Sequence, residues 1–306
     1  MEKEFYLDSL GAGKIRCKIW LPEGEPKGVV QLIHGIAEHI DRYDDFAHYL
    51  NKAGFVVTAE DHMGHGKSAS QGGSIQGYFH GGWFTAVEDS YMLTKKSMAD
   101  FPGVPYFLFG HSMGSFLTRT ILCKHPDSGI RAAVICGTGW QPRAVLPMGI
   151  ALCKAACASD GEAKPAKALD KAVFGSYNKR VEHPRTSFDW LTRDASVVDA
   201  YIADPMCGFV ASAGLLRDMM TGIAYIERPD SLAAMNKELP VFFIAGGDDP
   251  VGAYSKGVHK SVQAFRNAGV KDVKEKIYPL GRHEILNEIN KKEVYEDVLN
   301  YFEQHI

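Results

Sequence analysis

The sequence predicts an α/β protein: a mostly parallel sheet with helices on both faces, interrupted once by a helical insertion. Three observations carry this reading. Short runs rich in β-branched and aromatic residues alternate with longer segments of helical period. The later runs are apolar nearly throughout, as strands covered on both faces must be. Between residues 138 and 239 no strand pattern occurs, and then Val-Phe-Phe-Ile-Ala at 241–245 restores it.

In chain order, strands are expected at 14–20, 28–34, 55–60, 106–110, 132–137, 241–245 and 273–278. The first of them, joined by short turns, are expected to form an antiparallel hairpin edge. Helices are expected at 41–53, 83–99, 115–124, 255–267 and 292–303. The strandless stretch contains helix-compatible segments at 147–158, 166–174, 197–203 and 213–226. The core is therefore expected to be discontinuous, with residues 1–137 and 240–306 forming one sheet and 138–239 a helical cap inserted between two of its strands. No internal repeat or low-complexity segment interrupts this plan.

The bulk composition excludes several classes of function. The 306 residues are 45% hydrophobic and 23% charged, the balance of a globular protein. A formal net charge of −3 gives no bias toward nucleic acid or anionic membrane. The N-terminus has no apolar h-region, so a cytoplasmic location is expected. The longest apolar run, 144–153, is broken by Pro147 and Gly149 and falls short of the roughly 18 residues of a membrane span. The six cysteines are scattered among apolar neighbours, which suits buried free thiols better than a disulfide framework. Cys153 and Cys157 lie one helical turn apart, but no His or third Cys stands at zinc-site spacing.

The chemistry is concentrated at Gly110-His111-Ser112-Met113-Gly114. With 31 glycines in the chain, a Gly-x-Ser-x-Gly pattern arises by chance on the order of 0.2 times in this length, so the pattern alone decides little. Its setting decides more. It follows a buried-strand run and opens a helical pattern, the context of a nucleophile elbow. There Gly110 and Gly114 avoid side-chain clashes around a sharp bend, and Ser112 is presented above the carboxyl ends of the strands.

A serine hydroxyl needs a base, and the base an orienting acid, in the order Ser, Asp or Glu, His. Among downstream histidines, only His283 sits in a loop after a strand and in the right order, at Gly281-Arg282-His283-Glu284. His125 and His259 fall on helices, His183 in the insertion and His305 at the end. Asp248 and Asp249 compete for the acid role after the 241–245 strand. Pro250 pushes the backbone of Asp249 toward extended conformation, which favours it for a reach across the loop. For the anion hole, one donor is expected from the Met113 N–H. The other is expected from the Ile36 N–H, after the strand that ends at His34-Gly35.

His34, Glu38 and His39 also raise a metal reading, but their spacing fits neither the zincin motif nor its inverted form. Asp61-His62-Met63-Gly64-His65-Gly66-Lys67-Ser68 imitates the end of a phosphate-binding loop, yet Asp61 stands where the first glycine is needed, so a tight structural loop is expected. No cofactor and no metal are expected.

The set HGIAEH, DHMGHGKS, GHSMGS, GGDDPV and GRHE, in this order, resembles the monoacylglycerol lipase and lysophospholipase-like branch of the α/β-hydrolase superfamily. The resemblance spans nearly the whole core and is weakest across 138–239. It implies an α/β-hydrolase fold with a helical cap, catalytic Ser112, Asp249 and His283, and oxyanion donors at Ile36 and Met113. Relatives often carry a smaller residue in place of Ile36 or Ala37, so the larger Ile36 bears on the size of the acyl entrance. The expected reaction is ester hydrolysis through an acyl-enzyme, with a monoacyl lipid or medium-chain ester as substrate. Short-chain or xenobiotic esters are the alternative. An N-terminal aminopeptidase on the same core would need acidic cap groups, such as Asp194, Asp199 or Asp204. A non-catalytic binding protein has no chemical need for all three triad residues. Apolar surfaces at 144–153 and 214–226 are expected to meet the acyl chain, and the cap is compatible with transient contact with a membrane surface.

Overall fold

The computed structural model describes residues 1–142 and 144–306. Eight strands form one sheet: β1 (Glu2–Asp8), β2 (Lys14–Trp20), β3 (Gly28–Ile33), β4 (Phe55–Glu60), β5 (Tyr106–His111), β6 (Ala132–Cys136), β7 (Val241–Gly246) and β8 (Val273–Tyr278). Their order is β1-β2-β4-β3-β5-β6-β7-β8. All pairs from β4 to β8 are parallel, while β1–β2 and β2–β4 are antiparallel.

The helices are α1 (Asp44–Lys52), α2 (Gly66–Ser70), α3 (Trp83–Asp100), α4 (Met113–Lys124), α5 (Val145–Asp160), α6 (Lys167–Phe174), α7 (Ala195–Ala203), α8 (Ala213–Ile226), α9 (Pro229–Ala234), α10 (Lys256–Asn267) and α11 (Lys291–Glu303). Alternate side chains of the sheet feed two cores. Val29, Leu108, Ala133 and Phe243 join a cluster with α3, α4, α8 and α10. Val30, Phe107, Val134 and Phe242 join another with α1 and α11. The near-unbroken apolar strands follow directly from this double covering.

The edge of the sheet differs from expectation. The hairpin is made by β1 and β2, with Asp8 opposite Lys14, and β2 then pairs with β4 rather than β3. β3 is buried along its whole length and sits between β4 and β5. Six consecutive buried residues need cover on both faces, which an edge position would deny them. The unforeseen β1, Glu-Lys-Glu-Phe-Tyr-Leu-Asp, is largely exposed. Its charged end masked a weak alternation, and such charges suit an edge strand.

Because β3 is flanked by β4 and β5, the loops after β3 and β5 open side by side at the carboxyl ends of the strands, where ligands bind in open α/β sheets. The loops after β7 and β8 open at the same rim. Between β6 and β7, which pair directly, the chain makes α5 to α9 and no strand among the described residues. No helix among those residues is long and apolar enough to cross a membrane.

Candidate active site

At the β5–α4 bend, Ser112 has φ 53° and ψ −121°. The flanking glycines explain how the chain tolerates it. A Cβ on Gly110 would lie 2.1 Å from Thr118 Oγ1 and 2.4 Å from the Gly114 carbonyl. One on Gly114 would lie 1.9 Å from the Ile33 carbonyl and 2.6 Å from that of His34. These contacts let α4 press its first turn against β3. Ser112 N–H donates to the Cys136 carbonyl at 3.0 Å, so β6 anchors the bend from the other side. Met113 is the first residue of α4, and its N–H belongs to the unpaired first turn of the helix.

His283 is buried in the loop after β8, and its Nδ1 is 3.0 Å from Asp249 Oδ1. Asp249 is fully buried after β7, and the same oxygen accepts the Val251 N–H at 2.8 Å. Asp248 is exposed and turns away. Burial opposes a charge on His283, but Asp249, with Glu284 and Glu38 nearby, outweighs it and holds the pKa above the ordinary 6.5. His111 packs against His283 with ring centroids 4.7 Å apart. Burial and the neighbouring His283 push His111 down to about 4, so it stays neutral.

Ser112, His111, Ile36 and His283 line one cavity of about 380 Å³. Its remaining wall is mainly Phe174, Phe188, Trp190, Leu191, Tyr201 and Phe209. Ser112 Oγ makes no hydrogen bond among the described residues, and catalytic hydrogen bonds are often loose before substrate binds. Gly35 lets the preceding loop approach the bend: a Cβ there would lie 3.0 Å from Ser112 Cβ. Every residue expected at the site therefore gathers at one rim, with Asp249 behind His283.

Several neighbours were not foreseen. Arg42 donates to Glu284 Oε1 and Oε2 at 2.7 and 2.6 Å and to Glu38 Oε2 at 2.7 Å, joining the loop after β3 to the loop of His283. Glu38 Oε1 accepts the Gly35 N–H at 2.6 Å and the Tyr43 hydroxyl at 2.9 Å. The Arg42–Glu284 partners are 242 positions apart, so spacing carries no trace of them. Trp190 faces His283 with ring centroids 5.1 Å apart, and its carbonyl accepts the His283 N–H. The Asp61–Ser68 loop is structural: Asp61 accepts the Ile40 and Lys67 N–H groups and pairs with buried Arg16.

The surfaces expected to meet an acyl chain are misplaced. No residue of 144–153 or 214–226 lines the cavity; α5 and α8 pack on one another, and α8 packs on α3 and α4. The apolar wall comes instead from 174–191 and 201–211: Phe174 ends α6 and Tyr201 lies on α7, while Phe188, Trp190, Leu191 and Phe209 stand in irregular backbone that carries no periodic signal. Nor do the three acids considered for an amine face the cavity. Asp194 caps α7, Asp199 pairs with Arg185, and Asp204 binds His39. His39, Asp204 and Cys207 have donor atoms within 4.8 Å of one another, but His39 Nε2 and Asp204 Oδ2 are already hydrogen-bonded at 2.8 Å.

A strained serine at a strand–helix bend, opposite a buried His–Asp pair at the carboxyl rim of this sheet, defines an α/β-hydrolase site. The comparisons with known proteins agree. The sequence profile of the Hydrolase_4 family, described as serine aminopeptidase S33, matches residues 24–290, and the chain belongs to this family. A monoacylglycerol lipase of Mycolicibacterium smegmatis is 30% identical over 97% of this chain and 95% of its own. The mouse monoglyceride lipase is 28% identical over 90% of this chain and 84% of its own. Among solved structures, a thermostable carboxyl esterase from Bacillus coagulans, in complex with glycerol, is 30% identical with a TM-score of 0.93, covering 99% of this chain and 98% of that one. The protein is a carboxylic ester hydrolase of the monoacylglycerol lipase-like type.

Proposed function

We propose that the protein hydrolyses monoacylglycerol-type esters with medium-length acyl chains through a Ser112–His283–Asp249 triad and an acyl-enzyme. His283 Nε2 takes the Ser112 proton as Oγ attacks the ester carbonyl, and the Ile36 and Met113 N–H groups hold the oxyanion. His283 then protonates the leaving alcohol. It next activates the water that frees the acid, while Asp249 fixes the imidazole tautomer and stabilises its cation. Residues 138–239 act as a cap that supplies the apolar wall.

The observation that carries this reading is the aromatic cavity that Ser112 and His283 share. A volume of about 380 Å³ lies near the lower end of the roughly 300–1,000 Å³ range of ligand pockets, which favours a medium chain over a long one. The related lipases and the glycerol-bound esterase support glycerol as the alcohol. Of the carboxylates lining the cavity, Glu38 and Glu284 are already committed to Arg42, which leaves Asp170, an acceptor for the Ala211 N–H, as the acid open to a peptide amine.

The test is a hydrolysis panel of monoacylglycerols, lysophosphatidylcholines, p-nitrophenyl esters and aminoacyl amides, run on wild type and Ser112→Ala. Monoacylglycerol turnover should exceed the rest, peak at medium chains and vanish in the folded Ser112→Ala variant. Dominant aminoacyl amide cleavage, or turnover surviving the substitution, overturns the reading.

A further inference from the structure

We propose that His34 is a positioning residue for the oxyanion site: its Nδ1–H holds the plane of the Gly35–Ile36 peptide and so aims the Ile36 N–H at the reacting carbonyl. The inference rests on the oxyanion role proposed for Ile36.

The argument starts from peptide geometry. The Gly35 carbonyl and the Ile36 N–H belong to one planar trans unit and point in opposite directions. Holding the oxygen on one side therefore holds the N–H on the other. Gly35 has no side chain to resist rotation of that plane. A rotated peptide would turn a carbonyl oxygen, rather than a donor, toward the developing negative charge.

His34 Nδ1 lies 2.7 Å from the Gly35 oxygen. Which ring nitrogen carries the proton is fixed from the far side. The His62 backbone N–H donates to His34 Nε2 at 3.0 Å, so Nε2 accepts and the proton of the neutral ring resides on Nδ1. Burial, with His62 and His65 close by, keeps His34 neutral well below its ordinary titration range. The ring itself is pinned. It stacks on His62 with centroids 3.9 Å apart, and His62 Nε2 returns a hydrogen bond to the His34 carbonyl at 3.0 Å.

The loop is also held on its other flanks. Gly35 N–H donates to Glu38, while the Tyr201 hydroxyl and the Gly208 N–H both donate to the Ala37 carbonyl at 2.8 and 2.9 Å. Ile36 N–H has no acceptor among the described residues. His34 is fully buried and does not line the cavity, so it acts through the peptide and not on substrate.

Three substitutions separate this role from general support of the fold. In His34→Asn the amide nitrogen stands the same number of bonds from Cα as Nδ1 and can still donate to Gly35. His34→Gln places its amide near the Nε2 position, keeping the far contact and losing the near one; His34→Leu loses both. On a soluble p-nitrophenyl ester, His34→Asn should keep kcat within about fivefold of wild type. His34→Gln and His34→Leu should lose roughly 10²-fold in kcat with KM little changed, the size expected for a lost oxyanion donor. A Gln variant as active as wild type, or an Asn variant as impaired as Gln at equal Tm, overturns the proposal. A measurement on the unaltered protein guards against misfolding: two-bond 1H–15N spectra of the His34 ring should show the Nδ1–H tautomer, and an Nε2–H tautomer overturns the proposal. Ser112→Ala in the same assay separates the two levels. If it still turns over, the triad reading falls; if it is inactive and the Gln variant is not, only the role of His34 falls.

Discussion

Ser112 at φ 53° occupies backbone space that costs of order 1–3 kcal/mol, and that strain persists because β6, Gly110 and Gly114 over-determine the bend. The bend was legible because its need for small residues is local and leaves glycines in the sequence. His283 and Asp249 were legible for another reason: each follows a readable strand, and the order Ser, Asp, His left few choices. The charge state of His283 gives a prediction at this scale. Its folded pKa lies above 6.5, so the neutral base is lost on acidification at a higher pH than for a free imidazole. The acid limb of kcat/KM should therefore have its midpoint above 6.5, and a limb centred below 6 would contradict the assignment. By the same shift, the protonated ring stabilises the fold below the unfolded pKa. That contribution is lost as the pH rises through the folded value.

The strands from β4 to β7 were read nearly to the residue, because burial on both faces writes a continuous apolar run; β8, with Lys-Glu-Lys at its half-exposed centre, was placed without one. β1 was missed, and β3 was mispaired, because edge position and pairing order are set by tertiary cover rather than by local pattern. Two element-level contacts invite tests. Gly114→Ala places a methyl against the Ile33 and His34 carbonyls, neither of which is a flexible side chain. It should push α4 away from β3, destabilise the protein by about 1–3 kcal/mol and depress kcat, read from urea midpoints and turnover. Arg42 is the clamp between the two loops, and its partners are nearly inaccessible to solvent. Arg42→Ala leaves the buried Glu38 and Glu284 carboxylates uncompensated and should cost about 3–5 kcal/mol in chemical denaturation. A change below about 1 kcal/mol would show that the network carries little. Arg42→Lys should not restore the loss fully, since an ammonium cannot match the bidentate contact.

At the scale of the whole molecule, the helical excursion between paired strands β6 and β7 was plain from the absence of strand pattern. Which part of it meets the substrate was not. The long apolar segments α5 and α8 pack on each other, α8 against the core and α5 with Val145, Met148 and Leu152 left exposed, whereas the cavity wall comes mostly from irregular stretches rich in aromatic residues. Apolar content in a helix says nothing about what the helix packs against. The whole account depends on Ser112 being activated by His283 across that cavity. The most direct test is intact-mass and peptide-mapping analysis after brief exposure to a fluorophosphonate ester. A single adduct on Ser112, formed rapidly by wild type and at least 10²-fold more slowly by His283→Ala, is the predicted result. Labelling at another residue, or an unchanged rate in His283→Ala, would contradict the account.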